Sequence, residues 1–519
     1  MMSLFSKSFK ALRLVAATAL LPLLASCQWM TEDYDVETDV SNPTQYINVT
    51  ISVSAGNDPV TRSNPTGGEY GDGSETGIDE RENKVNNITL IFYQDDGTPD
   101  KGINTTSTTA KVACVKTYVV HRYTSDDKLP INHDHTKLGN ITEPDDVQEG
   151  EILYTTGDQA LKDTHLQAGQ KYHVIVVANT TVDVNEGDYV KDVRQKVLTS
   201  LYEGTGKGVN ATNFVMTSES DAIVELKDPY VYTSTTVPEN NRFVYYFNCI
   251  HIERLAARLD FWAKGSNGYK TSSDNAAYTT SGYEYTVKKP NGDATADRFV
   301  LTSITPFNLN NGNEYILKRV TTGFSEGTTP VWLGEETTSN WVVDPSTSMK
   351  NSTTAHPTDM VSTLTSVIGT HNNEYNVTMA GEQSNKIEIQ SNDNIIVGYA
   401  KENTLKPDVT SLYYYATGLA FEGYYYSGGT GTGTRCVFYH FIRHQGESNS
   451  AYQAFTSANI NTDATKAIVC PTTPAMNYGI VRNNIYRISI DKVSALGGVI
   501  KITIEEKHWR HVDNPVIYI

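Results

Sequence analysis

Histidine and cysteine often bind metals or carry out catalysis, but their spacing in this sequence forms no recognisable site. His133-Asp134-His135 offers two imidazoles, but the histidines lie two residues apart in a polar segment, and the spacing fixes no third ligand beside them. We interpret Arg443-His444 and His508-Trp509-Arg510-His511, which flank apolar strands, as structural. The H-E-x-x-H, G-x-S-x-G and Walker motifs are absent. The sequence therefore predicts no enzymatic activity, no metal site and no cofactor.

One cysteine, Cys27, stands where a covalent modification is expected. A basic segment is followed by an apolar run that ends in Leu24-Ala25-Ser26-Cys27. The run is shorter than a membrane-spanning helix, so residues 1–26 are predicted to be a secretory signal peptide. Its ending resembles the lipobox of bacterial lipoproteins, which implies cleavage before Cys27 and acylation of its thiol to form a membrane anchor. The alternative is an ordinary signal peptide followed by a chance cysteine.

The other four cysteines are far apart and include no C-x-x-C pair, so they have neither zinc nor redox spacing: Cys114, Cys249, Cys436 and Cys470. They are interpreted as small buried thiols, with a disulfide among them as the alternative.

Length and composition indicate a globular protein of two domains. The chain has 519 residues, more than one hydrophobic core usually serves, and its hydrophobic content of 38% excludes a polytopic membrane protein. The formal net charge of −18 argues against nucleic acid as a partner, because phosphates are bound by clustered Lys and Arg. Residues 28–40 carry acidic side chains and no base, which is typical of an extended, solvated tether.

The elements that would position any site are predicted to be strands. Strict alternation at 46–53 puts Ile47, Val49, Ile51 and Val53 on one face, and a long polar stretch follows from 55 to 87. Further strands are predicted at 88–92, 171–179, 243–247, 255–261, 299–304, 315–320, 395–400, 412–426, 436–442, 485–490 and 499–505. Spacing within 190–202 predicts one helix, and 427–434 is predicted to be a hairpin tip. Many short strands separated by polar turns indicate β-sandwich domains.

Several segments resemble the fimbrillins, the major subunits of type V pili of Gram-negative anaerobes. The most extensive runs from Ala475 to Ile488 (A-M-N-Y-G-I-V-R-N-N-I-Y-R-I) and continues as I-D-K-V-S-A-L-G over 490–497. The other similar segments are Y-H-F-I-R-H at 439–444, I-E-R-L-A-A-R-L-D-F at 252–261, residues 172–179, G-Y-A-K-E-N-T at 398–404, and the closing Trp509 with its short apolar end.

The resemblance implies a mostly all-β chain with two transthyretin-like β-sandwich domains and a few short helices. It further implies an outer-membrane lipoprotein precursor that becomes part of an extracellular fimbria. The expected division is a lipoprotein signal peptide (1–26), an acidic tether with a removable N-terminal strand (27–62), an N-terminal sandwich (63–252) and a C-terminal sandwich (253–519).

The resemblance also implies activation by an arginine-specific surface protease that removes the first strand. The expected cut follows Arg62, before Ser63, in a polar stretch just beyond the alternating strand, and Arg81 is the second choice. Removing Ile47 to Val53 would open an apolar groove for a strand from another copy of the protein, giving a head-to-tail filament. The donor candidates are apolar residues near the C-terminus: Ile500, Ile502, Ile504, Val516, Ile517, Tyr518 and Ile519.

The expected partners are other copies of the chain, the protease, anchor and tip subunits, and host or bacterial surface ligands. Two other interpretations stay open. The first is an anchor or tip subunit of the same fimbria. The second is a surface glycan-binding lipoprotein, for which Tyr413-Tyr414-Tyr415 and Tyr424-Tyr425-Tyr426 would be sugar platforms, although such runs are more often sheet faces.

Overall fold

The structure is a computed structural model, and the residues it describes fall into seventeen ranges. They are 44–53, 80–94, 110–122, 152–203, 211–218, 222–232, 242–322, 331–332, 340–346, 360–361, 387–388, 394–405, 415–442, 452–453, 455–456, 478–496 and 499–508. All statements about the fold and its contacts concern these residues.

The first half of the described chain contains strands β1 to β12 and three short helical turns. The strands are β1 (Thr44–Val53), β2 (Asn87–Gln94), β3 (Lys111–Val119), β4 (His121–Arg122), β5 (Ile152–Thr155), β6 (Gln159–Ala160), β7 (Lys171–Ala178), β8 (Val197–Leu198), β9 (Met216–Ser218), β10 (Ala222–Glu225), β11 (Tyr230–Tyr232) and β12 (Arg242–Arg254). The helices are α1 (Glu80–Asn83), α2 (Val190–Val193) and a 3₁₀ turn, Leu161–Thr164.

The second half contains strands β13 to β30 and one 3₁₀ turn, Ser427–Gly429. The strands are β13 (Ala257–Trp262), β14 (Tyr269–Lys270), β15 (Gly282–Lys288), β16 (Ala294–Phe307), β17 (Leu309–Asn310), β18 (Glu314–Tyr315), β19 (Arg319–Thr322), β20 (Val331–Trp332), β21 (Asn340–Val342), β22 (Met360–Val361), β23 (Ile387–Glu388), β24 (Asn394–Ala400), β25 (Gly418–Tyr426), β26 (Thr434–Phe441), β27 (Tyr452–Gln453), β28 (Phe455–Thr456), β29 (Ile485–Leu496) and β30 (Val499–His508).

Two large sheets dominate the molecule, one in each half. The first follows the order β3-β2-β7-β9-β12-β1-β5-β4, and the second follows β24-β13-β29-β15-β16-β25-β26-β28. Both sheets are arranged as sandwiches, so the prediction of a mostly all-β, two-sandwich fold with a few short helices is confirmed. Strands β2 and β7 are buried on both faces, as expected for the apolar run 171–179 at the centre of a sheet.

The two sheets share a topological feature at the strand that begins each half. β1 pairs in parallel with β12, the last long strand of its half, and β13 pairs in parallel with β29 in the same way. The two halves differ in the chain before these strands. In the second half, β13 follows β12 after only two residues, Leu255 and Ala256. β30, which follows β29, has no counterpart in the first half, where the chain continues directly into the next sandwich.

Each half has its own core. One apolar cluster runs from Ile47 to Ala256 and another from Ala257 to Val493. The change of core lies close to the boundary expected at residue 252, which itself falls within β12. A third cluster covers the outer face of β2 and β7, and two residues of the second half, Ile316 and Leu317, belong to it.

Most of the predicted strands in the described residues are present, but the helix predicted within 190–202 is wrong. Only the single turn α2 forms, and β8 follows it. β8 pairs with β18 of the second half, where Leu198 is opposite Glu314, so a partner distant in sequence overrides the local helical spacing. The hairpin tip at 427–434 is confirmed, since β25 and β26 are antiparallel partners on either side of it.

Candidate functional site

The candidate site is the position of β1 inside the first sheet, which we call the β1 slot; its walls are β12 on one side and β5 with β6 on the other. β1 runs parallel to β12 from Thr44 to Val53, with a register shift between Val49 and Ile51. On its other side it is antiparallel to β5 and to β6. The first strand of the described chain is therefore an interior strand of the sheet, with partners on both sides.

The inward face of β1 fills the first core. Ile47, Val49, Ile51 and Val53 have exposed fractions of 0%, 1%, 0% and 3%. Full burial of four such side chains is worth about 6–12 kcal/mol at roughly 1.5–3 kcal/mol each, an upper bound for the apolar contribution. Without β1, the slot would be an apolar groove flanked by unpaired backbone groups.

The outward side chain of Asn48 and the backbone of Val49 make specific polar contacts with the wall formed by β5 and β6. Asn48 donates its side-chain amide to Asp158 Oδ1 at 3.0 Å and accepts from Thr155 Oγ1 at 2.8 Å. The backbone of Val49 donates to Thr156 Oγ1 at 3.0 Å. These contacts fix the register of β1, because a slip of one residue would exchange its apolar and polar faces.

Near its C-terminal end, β1 is buried on the outward face as well. Thr50 is 5% exposed and Ser52 is 0% exposed. Among the described residues, the Ser52 hydroxyl has no hydrogen-bond partner, and an unsatisfied buried hydroxyl costs about 1–3 kcal/mol. This cost offsets part of the stabilisation that the apolar face provides.

The predicted processing residues lie mostly outside the described residues. Cys27, Arg62 and Ser63 are in this group. Arg81, the second choice for the cut, lies within α1. Its neighbour Glu82 is 9% exposed, and its carboxylate accepts from Arg258 Nη1 at 2.8 Å. A helical turn anchored by a buried ion pair is a poorer protease substrate than an extended polar chain.

The two groups of donor candidates differ in what the structure describes. β30, which carries Ile500, Ile502 and Ile504, is antiparallel to β29 of the same chain and also pairs with β27. Val516, Ile517, Tyr518 and Ile519 lie outside the described residues. In the described chain the β1 slot and the strand β30 belong to different sheets, and each is paired internally.

Sequence reasoning missed a cluster of charges that joins the two halves beside the slot. Arg258 binds Asp260 through two bonds of 2.9 Å and also binds Glu82. Burial raises the pKa of Asp260, and the Arg258 guanidinium opposes that shift. The signal in the sequence was the set of four charged residues, Glu253, Arg254, Arg258 and Asp260, among the apolar residues of 252–261.

A second buried cluster lies in the second half. Arg482 donates Nε and Nη2 to the carboxylate of Glu402, both at 2.8 Å, and its Nη2 lies 3.3 Å from Glu314 Oε2. All three side chains are fully buried. Burial and the nearby charge of Glu402 raise the pKa of Glu314 well above its usual value. In both clusters the guanidinium groups pair with buried carboxylates, so we interpret the clusters as structural. Among the described residues, Arg482 Nη1 has no hydrogen-bond partner.

The structure describes only some of the other residues that could bind a metal or act as nucleophiles. Within the described ranges, no group of three or more His, Cys, Asp or Glu side chains could hold a metal ion. Cys114 and Cys436 are free thiols, and burial raises the pKa of Cys114 to about 12. The structure does not describe the other cysteine side chains, and the segment 133–135 lies outside the described residues. Among the described helices none is long and apolar enough to span a membrane.

The tyrosine runs behave as parts of sheets and cores. Tyr426 is fully buried against Tyr278, with ring centroids 4.6 Å apart. Tyr424 and Tyr425 are partly buried on β25, and Tyr415 is buried. Tyr413 and Tyr414 lie outside the described residues. The four described tyrosines, Tyr415, Tyr424, Tyr425 and Tyr426, are buried or partly buried and do not form an exposed aromatic platform.

No protein-family model matches the sequence, and no curated protein matches it. Solved structures that resemble the chain include a fimbrilin from Porphyromonas gingivalis, with 12% identity, a TM-score of 0.36, and coverage of 90% of this chain and 97% of that one. The tip fimbrial protein Mfa3 from Porphyromonas gingivalis, with a C-terminal truncation, gives 10% identity, a TM-score of 0.34, and coverage of 89% and 100%.

A fimbrial assembly protein from Parabacteroides distasonis gives 11% identity, a TM-score of 0.32, and coverage of 89% of this chain and 98% of that one. These structural neighbours are fimbrial proteins.

Proposed function

We propose that the protein is a structural subunit of a cell-surface fimbria, activated by proteolysis and polymerised by strand exchange. The observation that carries this proposal is β1, an N-terminal strand buried in the interior of a sheet and followed by the polar stretch 54–79. A protease cut within this polar stretch would separate β1 from the rest of the chain and make it a removable strand. The fimbrial subunit in turn mediates adhesion and biofilm formation.

In this proposal the precursor reaches the cell surface as an outer-membrane lipoprotein acylated at Cys27. An arginine-specific surface protease cuts after Arg62, which separates residues 27–62, with their lipid and β1, from the rest of the chain. Two features favour Arg62 over Arg81. Arg62 lies in a long polar stretch, whereas Arg81 lies in α1 next to the anchored side chain of Glu82.

Loss of β1 would expose the apolar core residues beneath the slot and leave the facing edges of β12 and β5 unpaired. Such edges bind an added strand strongly. A second copy of the chain supplies this strand from its C-terminal region. β30 is the stronger donor candidate, because it alternates apolar residues over 500–504 and lies outside the topology that the two halves share. Donor and acceptor are at different places on each copy, so the contact propagates as a filament. Anchor and tip subunits would end that filament, and host or bacterial surface ligands would bind it.

The test is to treat the purified precursor with an arginine-specific protease and to follow its mass on denaturing and native gels. We expect a ladder of polymers from the unsubstituted precursor and from Arg81→Ala. Arg62→Ala should stay monomeric. A clean cut after Arg62 that leaves only monomers would contradict the proposal, and acylated Cys27 retained in assembled fibres would indicate an anchor subunit instead.

A further inference from the structure

The two walls of the β1 slot are connected to each other by residues outside β1. Tyr154 of β5 donates its hydroxyl to the carbonyl oxygen of Asn83 at 3.0 Å. Arg254, the last residue of β12, donates Nε to the carbonyl oxygen of Glu82 at 2.9 Å and Nη2 to Asn83 Oδ1. We call Glu82, Asn83, Tyr154 and Arg254 the clasp. It links β5 to β12 through α1, at the end of the slot where β1 finishes.

The clasp is anchored independently of β1. The Glu82 carboxylate accepts from Arg258 Nη1 at 2.8 Å and from the Tyr399 hydroxyl at 2.5 Å, and both of these residues belong to the second half. Arg254 Nη1 also donates to Asn483 Oδ1 at 2.9 Å. These described contacts of α1 involve no residue of β1, so removal of the strand leaves them in place.

The opposite end of the slot has a weaker connection. Arg242 of β12 lies 3.1 Å from Asp158, which precedes β6, and the two side chains are 42% and 17% exposed. An ion pair with this exposure contributes little to stability. The Arg242 guanidinium also lies over the ring of Tyr46, which is part of β1, so this connection loses a contact when β1 leaves. Of these two connections between the walls, the clasp is therefore the one that keeps all of its named contacts when β1 leaves.

An empty slot has an obvious way to close. β1 is parallel to β12 and antiparallel to β5, so β12 and β5 are antiparallel to each other and could pair directly. Such pairing would bring together two strands that β1 now holds about 10 Å apart, twice the usual strand spacing, and would satisfy their unpaired backbone groups. A slot that closed in this way could not accept a donor.

We propose that the clasp keeps the β1 slot open after the strand is removed, so that the acceptor site is pre-organised for a strand from another copy. This inference rests on the proposed function and adds a positioning role for Tyr154 and Asn83. Pre-organisation favours binding because the free energy of opening the site need not be supplied by the incoming strand.

The test compares Tyr154→Phe and Asn83→Ala, which remove single polar groups from the clasp, with Tyr118→Phe. Tyr118 packs against the same core from β3, which pairs with β2 and is not a wall of the slot. The full-length precursors are cut with the arginine-specific protease. Two quantities are then measured: the rate of polymer growth, and the fraction of chains that takes up an excess of labelled synthetic peptide with the sequence of residues 44–53. Thermal unfolding of each uncut precursor is the control for folding.

We expect both clasp variants to lose about fivefold in each readout, the effect of one net hydrogen bond, while their uncut precursors melt within a few degrees of Tyr118→Phe. Clasp variants that match Tyr118→Phe in polymer growth and in peptide uptake would overturn the inference. If the unsubstituted protein takes up peptide but never polymerises, the proposed function fails and the clasp is still judged by peptide uptake. If the cut, unsubstituted chain takes up no peptide, the slot is not held open and the inference fails.

Discussion

Arg482 and its two carboxylates form a buried group in which the partners have unequal roles. Glu402 holds the guanidinium through two bonds, whereas Glu314 makes one longer contact and also accepts from the backbone N–H of Glu402. Burial raises the pKa of Glu314, so the folded protein holds the Glu314 proton more tightly than the unfolded chain does. The stabilisation that protonated Glu314 provides is complete below the pKa of this carboxyl in the unfolded chain, about 4.3. It is lost as pH rises through the pKa of the same carboxyl in the folded protein.

This asymmetry gives a prediction for two amide substitutions. Glu314→Gln keeps the main partner of Arg482 and removes the unfavourable titration, so its stability relative to the unsubstituted protein should improve between pH 5 and pH 8. Glu402→Gln leaves a fully buried guanidinium without its paired carboxylate and should cost about 3–5 kcal/mol at both values. Denaturant unfolding at the two pH values measures both effects. An equal cost for the two variants, unchanged by pH, would contradict this assignment.

At the residue scale, the sequence predicts buried apolar faces better than it predicts buried clusters of charged side chains. Alternation alone identified Ile47 to Val53 as one face, and all four residues are buried. Arg482 was noticed only within a family-like segment, because its partners stand 80 and 168 positions away. Pairing of charges depends on the tertiary fold, which local patterns do not contain.

At the scale of elements, β1 is the strand whose contribution should change between precursor and filament. Ile51→Ala removes a fully buried side chain and should lower the stability of the uncut precursor by about 2–5 kcal/mol. Because the proposed filament has lost β1, the same substitution should leave the melting of the polymer unchanged.

Ile88→Ala is the matched control for this element. Ile88 is fully buried on β2, in the same core, and stays in the subunit after cleavage. It should therefore destabilise precursor and polymer alike. Calorimetry of both forms for both variants gives the comparison. A polymer that Ile51→Ala weakens as much as Ile88→Ala does would show that β1 remains in the filament.

Elements with a strong repeating pattern were predicted correctly, whereas elements defined by a distant partner were not. The strands around the tip at 427–434 are flanked by aromatic runs and form the β25–β26 hairpin. The segment after α2 has helical spacing, yet it extends because β18 offers backbone partners to β8. The single strand predicted at 315–320 is wrong, because residues 316–318 separate β18 from β19. The short strands β17 and β20 to β23 have no sequence signal of comparable strength.

On the scale of the whole molecule, residues 314–318 connect the halves on the face of the first sheet opposite to the core that β1 fills. Ile316 and Leu317 are fully buried in the cluster over β2 and β7. Lys318 Nζ lies 3.1 Å from Glu253 Oε2, with side chains 4% and 2% exposed. Because this connection avoids β1, it should survive strand removal and hold the halves together in the filament.

The ion pair allows a double-mutant cycle on this connection. Lys318→Met and Glu253→Gln should each cost about 3–5 kcal/mol, since each leaves part of a buried polar pair unmatched. The double variant should cost clearly less than the sum, because neither charge is then left alone. Urea unfolding of the four proteins gives the coupling energy. If the costs of the two single substitutions simply add in the double variant, Lys318 and Glu253 do not form the ion pair seen in the structure.

The central claim is that the slot filled by β1 in the precursor is filled by another copy in the filament. Mass spectrometry of washed polymers, made by cutting the purified precursor, tests it most directly. We predict subunits that begin at Ser63, with the fragment 27–62 absent from the polymer and recovered from the wash. Polymers whose subunits still hold that fragment, covalently or as a bound peptide, would contradict the account.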